Sequence, residues 1–286
     1  MKKYKSLIIK IYNQLFIISD EIKDNHLDVY SAGTAFYLFI SIIPFFIALF
    51  SIVPYTPISK EEILSIASML PTEFDFLIQV VIAETYARNA ARLSISLILA
   101  IWSAARGVMF MTKGFNEIYD EREKRNYFIL RFWAAVYTLF IVVVLIILLI
   151  MGVFGKKIYY IIKMRFSHMP VHIMSSIATV FNMRGLIIGI VLFFLFLFLY
   201  VVLPNTKVII KYQIPGAFLC SVGWLIFTKV FSVFTNMFDV FSMYGSLATV
   251  IASLLWLYSC MYILFICAEL NNYLTFRKAL HRITRE

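Results

Sequence analysis

Six separate runs of roughly twenty apolar residues constrain this chain more than any other feature, because about twenty helical residues are what a bilayer crossing requires. They lie at about 33–53, 93–112, 132–153, 185–203, 214–236 and 245–269. Lipid offers the backbone no hydrogen bonds, so a crossing chain must close its own, as helices or as a closed barrel. No stretch sustains the alternation of a barrel strand. The expected class is therefore all-α: a polytopic membrane protein built as a six-transmembrane-helix bundle. Composition agrees. Of 286 residues, 62% are hydrophobic and 15% charged, whereas a soluble domain is nearer half apolar and a quarter charged.

The net charge of +10 raises nucleic acid as a partner, but membrane proteins also gather Lys and Arg on their cytoplasmic side. Sixteen of the basic residues fall in the N-terminal arm, the second and fourth loops and the tail, and eight in the first, third and fifth loops. That bias predicts a membrane protein with both termini in the cytoplasm, consistent with an even number of spans. Lys156, Lys157, Lys163, Arg165 and Arg184 run against it, since they would lie outside. The basic excess follows the loops and forms no aromatic-interleaved groove, so no nucleic-acid partner is expected. The N-terminal stretch, broken by Lys10, Asn13 and Gln14, does not read as a cleavable signal.

The expected organisation is a cytoplasmic amphipathic arm over 1–30, a membrane domain over 31–275 and a basic tail over 276–286. Leu7, Ile8, Ile11, Leu15, Ile18 and Ile22 share a helical stripe, which suits a helix lying in the interface or docked on the bundle. Ser59 and Glu62 form a capping box for a short helix in the first outer loop, with a second after Thr72. Small residues four apart mark faces where helices approach closely: Ala100 and Ala104, Ser103 and Gly107, Gly185 and Gly189, Gly216 and Cys220, and Gly245 with Thr249 and Ser253. Pro44 removes a helical donor and is expected to kink the first span.

Charges inside the runs are candidate functional positions. Arg106 sits about five residues inside the second run and Glu269 near the end of the sixth, so the two are expected to pair. Lys229, in the fifth run, has Asp239 of the next turn as its expected partner. A purely structural role, fixing helix packing, explains the same residues equally well.

The sequence contains no P-loop, dinucleotide fingerprint, zinc-protease motif or Ser–His–Asp set. His168 and His172 have helical ligand spacing but flank Pro170, with no nearby carboxylate or thiol, so no metal or other cofactor is expected. Cys220, Cys260 and Cys267 lie in apolar runs and read as packing residues. The alternating charges of Asp120–Arg125 read as a solvated face.

Three stretches together resemble the YihY/BrkB family of bacterial inner-membrane proteins: SAGTAFYLFISIIPFFIAL at 31–49, WSAARGVMFMTKGFNEIYD at 102–120, and VVLPN at 201–205 followed by PGAFLCSVGW, MYGSLATVIASLLWLY and CAEL through 270. The resemblance implies six spans with cytoplasmic termini. It places Arg106, Gly107, Asn116, Pro204, Asn205, Gly216, Tyr244, Gly245, Trp256 and Glu269 at signature positions without giving any a catalytic role. Cys267 stands where a glycine is common. Some members carry a ribonuclease BN label, which the residues here do not support.

The leading functional expectation is a non-enzymatic transporter or exporter of a lipid, amphiphile or other small solute, with Arg106, Glu269 and Lys229 along its path. The alternative is an assembly protein holding membrane partners. Membrane lipids are the expected partners, and an oligomer is compatible with the sequence.

Overall fold

The computed structural model describes residues 23–52, 90–152, 183–237 and 240–283. Every regular element among them is helical: α1 (Leu27–Ile52), α2 (Ala90–Ile118), α3 (Tyr127–Gly152), α4 (Arg184–Val202), α5 (Ile210–Met237) and α6 (Val240–Ile283). Four helices are long and apolar enough to cross a bilayer, at Tyr127–Leu148, Arg184–Val202, Ile210–Thr235 and Leu247–Thr275, and Leu27–Ile42 is a shorter apolar helix. Much of their outward face is apolar. Phe132, Leu139 and Val143 on α3, and Phe218, Ile226 and Val230 on α5, are all exposed. A soluble protein does not carry so continuous an apolar exterior, and a bilayer covers it. The amphipathic arm, the first-loop helices, His168, His172 and Asp239 lie outside the described residues.

Helix α1 packs antiparallel on α2 through glycines. Phe110 lies where a Cβ on Gly33 would stand, and Leu38 lies 3.0 Å from the Cβ position of Gly107. Further along, Phe265 and Tyr30 close on Gly114. These contacts let large side chains fill notches in the facing helix, which is how helices associate without a hydrophobic drive. Of the small-residue pairs in the sequence, Gly107 and Gly216 serve in this way. Among the described residues, nothing lies within 4 Å of the Gly185 Cβ position.

The core gathers where α2, α4, α5 and α6 meet. Phe115, Phe196, Tyr200, Leu264 and Phe265 are almost completely buried. The rings of Phe115 and Tyr200 meet edge to face at 5.7 Å, and Phe115 and Phe265 lie 5.4 Å apart. The Tyr200 hydroxyl donates to the Leu264 carbonyl at 2.9 Å, satisfying a polar atom buried among rings. Trp224 and Trp256 stack at 6.2 Å.

Three helix limits differ from the apolar runs. Helix α2 continues past Lys113 to Ile118, where Asp120, at φ 50°, turns the chain. Asp120 N–H then bonds to Glu117 and Glu121 N–H to Asn116, a Schellman ending that satisfies the last carbonyls. Helix α3 begins at Tyr127, so Arg131 is helical rather than in a loop. Helix α6 runs 44 residues to Ile283, because no Gly or Pro follows Gly245. It thus extends through most of the stretch expected as a separate tail. Charge marks where a run leaves lipid, and a helix ends only where its backbone is stopped.

Candidate functional site

A polar junction forms at the end of the bundle where α1 begins and α2 finishes. Its hub is the Glu269–Asn272 turn of α6. At 100° per residue, Glu269, Asn271 and Asn272 point in three directions from one helical turn. Each reaches a different element.

Glu269 is buried, and its carboxylate accepts from Asn25 Nδ2 at 2.9 Å. Asn25 is placed by the next residue, His26, whose φ of 50° turns the chain into α1. Asn271 accepts from Gly216 N–H at 2.8 Å and donates to the Gln213 carbonyl at 3.3 Å. Gly216 carries no side chain because the Asn271 amide occupies the Cβ position. Asn272 donates to the Ile118 carbonyl at 2.6 Å. Tyr119, just beyond α2, donates to Gln213 Oε1 at 2.9 Å, and burial pushes its phenol well above the usual tyrosine range.

A second set of bonds ties the α2–α3 loop to the α4–α5 loop. Asn116 donates to Glu123 at 2.9 Å and accepts from Asn205 N–H at 2.8 Å. Asn205 donates to the Arg122 carbonyl at 3.3 Å. Glu123 and Arg125 form an ion pair at 2.8 Å. The Arg125 hydrogen bond is the main cause holding the Glu123 carboxyl below its ordinary range, and burial opposes it. Pro204 is buried beside this contact.

Arg106 is not part of the junction. Its side chain is exposed, with the guanidinium 5.5 Å from the Tyr37 ring centre. Among the described residues no ion pair joins it to Glu269. The expected pairing fails on level. Helices α2 and α6 run the same way, and the contacts Gly114 to Phe265 and Ile118 to Asn272 set Glu269 near Asn116. Ten residues of helix, roughly 15 Å, separate that level from Arg106. A second run ending at Thr112 would put both charges at one depth, but α2 continues to Ile118. Lys229 is exposed on α5, and neither it nor Arg106 faces the bundle interior. Pro44, Tyr244 and Gly245 lie within α1 and α6.

The buried cation of this region is Arg131, which the apolar runs left in a loop. It is 7% exposed. Its guanidinium covers the Trp102 ring at 4.2 Å and donates to the Trp102 carbonyl at 2.7 Å and to Met109 Sδ at 3.3 Å. The signal was present in YFILRFW at 127–133, where apolar residues precede the arginine as well as follow it. Asn25, Gln213, Asn271 and Asn272 were also missed. Amides carry no charge to single them out, although NN after CAEL breaks an otherwise apolar helix. Among the described residues no group of three or more His, Cys, Asp and Glu is placed to hold a metal ion.

The family model described as virulence factor BrkB matches residues 18–285. The chain belongs to the BrkB family. The junction, built from the Asn116, Pro204–Asn205, Gly216 and Glu269 stretches, therefore lies within the matched region. The chain is also similar to a Bacillus subtilis (strain 168) protein named "Putative ribonuclease-like protein YfkH", 28% identical over 255 residues, covering 87% of this chain and 90% of that one. No solved structure matches it. Family and apolar helices together make this BrkB-family chain a membrane protein.

Proposed function

We propose that this BrkB-family protein is a non-enzymatic transporter or exporter of a lipid, amphiphile or other small solute, with the polar junction as its gate. The observation that carries the proposal is the buried Glu269 carboxylate on Asn25, at the meeting of α1 and α6. A carboxylate buried in protein is costly without partners, and here it binds the start of α1 to the hub that also holds α2 and α5. Opening that contact would release one helix end while the others stay joined. The proposal includes six spans, with α1 and α2 crossing beside the four longer apolar helices. It also includes the 1–30, 31–275 and 276–286 division, and a bacterial cytoplasmic membrane with both termini inside.

The test is flux in liposomes holding the purified full chain, with fluorescent phospholipids and small anionic solutes as probes. Glu269→Gln and Asn25→Leu should change the rate of whichever probe moves. No saturable movement of any probe by the wild-type protein overturns the proposal. The ribonuclease-like name of the Bacillus relative supplies a second reading. Turnover of RNA by the same preparation, abolished by a single substitution that leaves the fold intact, would support it.

A further inference from the structure

The lipid-facing side of α2 carries cations that the junction does not use. Trp102, Arg106, Phe110, Lys113 and Glu117 recur at helical spacing along it. Trp102, Arg106 and Lys113 are exposed. Arg106 stands 5.5 Å over the Tyr37 ring, Lys113 5.7 Å over the Phe110 ring, and those rings lie 5.1 Å apart. The two cationic heads thus sit on adjacent rings in the α1–α2 groove. The stripe turns acidic only at Glu117, which accepts from Tyr30 at 3.5 Å.

The depth of this patch follows from α3, whose apolar span starts at Tyr127. Arg131, four residues on, touches Trp102 and Met109. Since α2 and α3 are joined by a short loop and run oppositely, Tyr127 lies about level with Phe110. Arg106 and Lys113 therefore straddle the edge of the hydrocarbon, where headgroup phosphates lie. Among the described residues neither makes an ion pair or hydrogen bond, so the five guanidinium donors of Arg106 meet no acceptor. Beneath Trp102, Arg131 Nε is likewise buried without an acceptor. Cations at this depth call for a counter-charge, and the protein around them supplies aromatic rings instead.

We infer that Arg106 and Lys113, floored by Tyr37 and Phe110 and flanked by Trp102 on Arg131, bind the headgroup phosphate of an anionic phospholipid. Arg106 presents the forked donors that suit phosphate oxygens, and Lys113 adds a point charge on the water side. The fatty chains lie along the exposed apolar face of α2 and α3, against residues such as Ile98 and Phe132. This site is on the outside of the bundle and stands whether or not the protein transports anything.

Native mass spectrometry of the full-length protein tests it, after delipidation and equilibration with equal phosphatidylglycerol and phosphatidylcholine of matched chains. The wild-type protein should retain phosphatidylglycerol in preference. R106Q/K113Q should lower that preference roughly thirtyfold, from the usual contribution of two surface cations. R106K/K113R should keep most of it, and K113Q alone, at the water edge, should lose part without disturbing the fold. Equal retention of both lipids by the wild type, or an undiminished preference in R106Q/K113Q, overturns the inference and leaves an acidic protein partner as the occupant.

Discussion

Asn25 Nδ2 and Glu269 Oε2 lie 2.9 Å apart across 244 positions of chain, joining the turn before α1 to the middle of α6. The bond closes the bundle end to end in sequence. Asn25→Leu removes the donor and leaves the buried carboxylate less well satisfied, which should cost about 1–3 kcal/mol. Asn25→Asp should cost more, by setting two carboxyls against each other. Thermal unfolding in detergent reads both. A wild-type midpoint for Asn25→Leu would remove Glu269 from its place as the tie between α1 and α6.

The apolar runs announced the helices, since burial in lipid demands both their length and their composition. The way in which the ends are joined was much less legible. Arg106 and Glu269 attracted notice because they carry charge in apolar surroundings. Yet Arg106 faces outward, and Glu269 accepts a hydrogen bond from the uncharged Asn25. Helix limits explain the error. Lys113 looked like an end, but α2 is stopped only at Asp120, where the chain enters the left-handed region. Asn116, Asn205 and Gly216 are legible through family resemblance, and their contacts are not, because the Asn116–Asn205 and Gly216–Asn271 bonds span 89 and 55 positions and leave no local pattern.

Gly216 and Asn271 give a paired prediction. Asn271→Ala removes two hydrogen bonds and leaves a gap facing Gly216, so it should destabilise by about 2 kcal/mol. Gly216→Ala pushes a methyl into the amide and should cost about 1–3 kcal/mol. Combining them should cost less than the sum, because the methyl then enters the space that the amide vacated. A double-mutant cycle on unfolding midpoints measures the coupling, and strict additivity would contradict the contact.

Arg131 holds α3 to α2 by hydrogen bonds to the Trp102 carbonyl and Met109 Sδ and by one ring face. Arg131→Ala should destabilise by about 2–3 kcal/mol, combining a charge-assisted bond and a cation–π contact. Arg131→Lys should recover little, since an ammonium cannot cover the ring while its donors reach both the Trp102 carbonyl and Met109. Trp102 emission should shift in both variants, which ties the loss to this contact. Full rescue by lysine would show that only the charge matters.

The Glu123–Arg125 clip lies in the loop outside the apolar spans, and its pH dependence has a definite sign. The Arg125 hydrogen bond holds the Glu123 carboxyl below its usual range in the folded protein. Unfolding returns it to the ordinary value, near 4.3 as a rough reference, so the folded state favours the ionised form. The clip therefore contributes fully above that ordinary value and is lost as pH falls through the depressed one. Glu123 also accepts from Asn116, which in turn holds Asn205, so losing its charge weakens the link between the two loops. Glu123→Gln should be less stable than wild type at neutral pH and should converge with it in acid. Because the pair is only partly buried, the gap should be small and should narrow in salt. Unfolding midpoints of the two proteins, compared from pH 7 down to about pH 3, check the sign. A gap that widens on acidification would mean that the carboxyl is more acidic in the unfolded chain, and the ion pair would then not be what holds this loop.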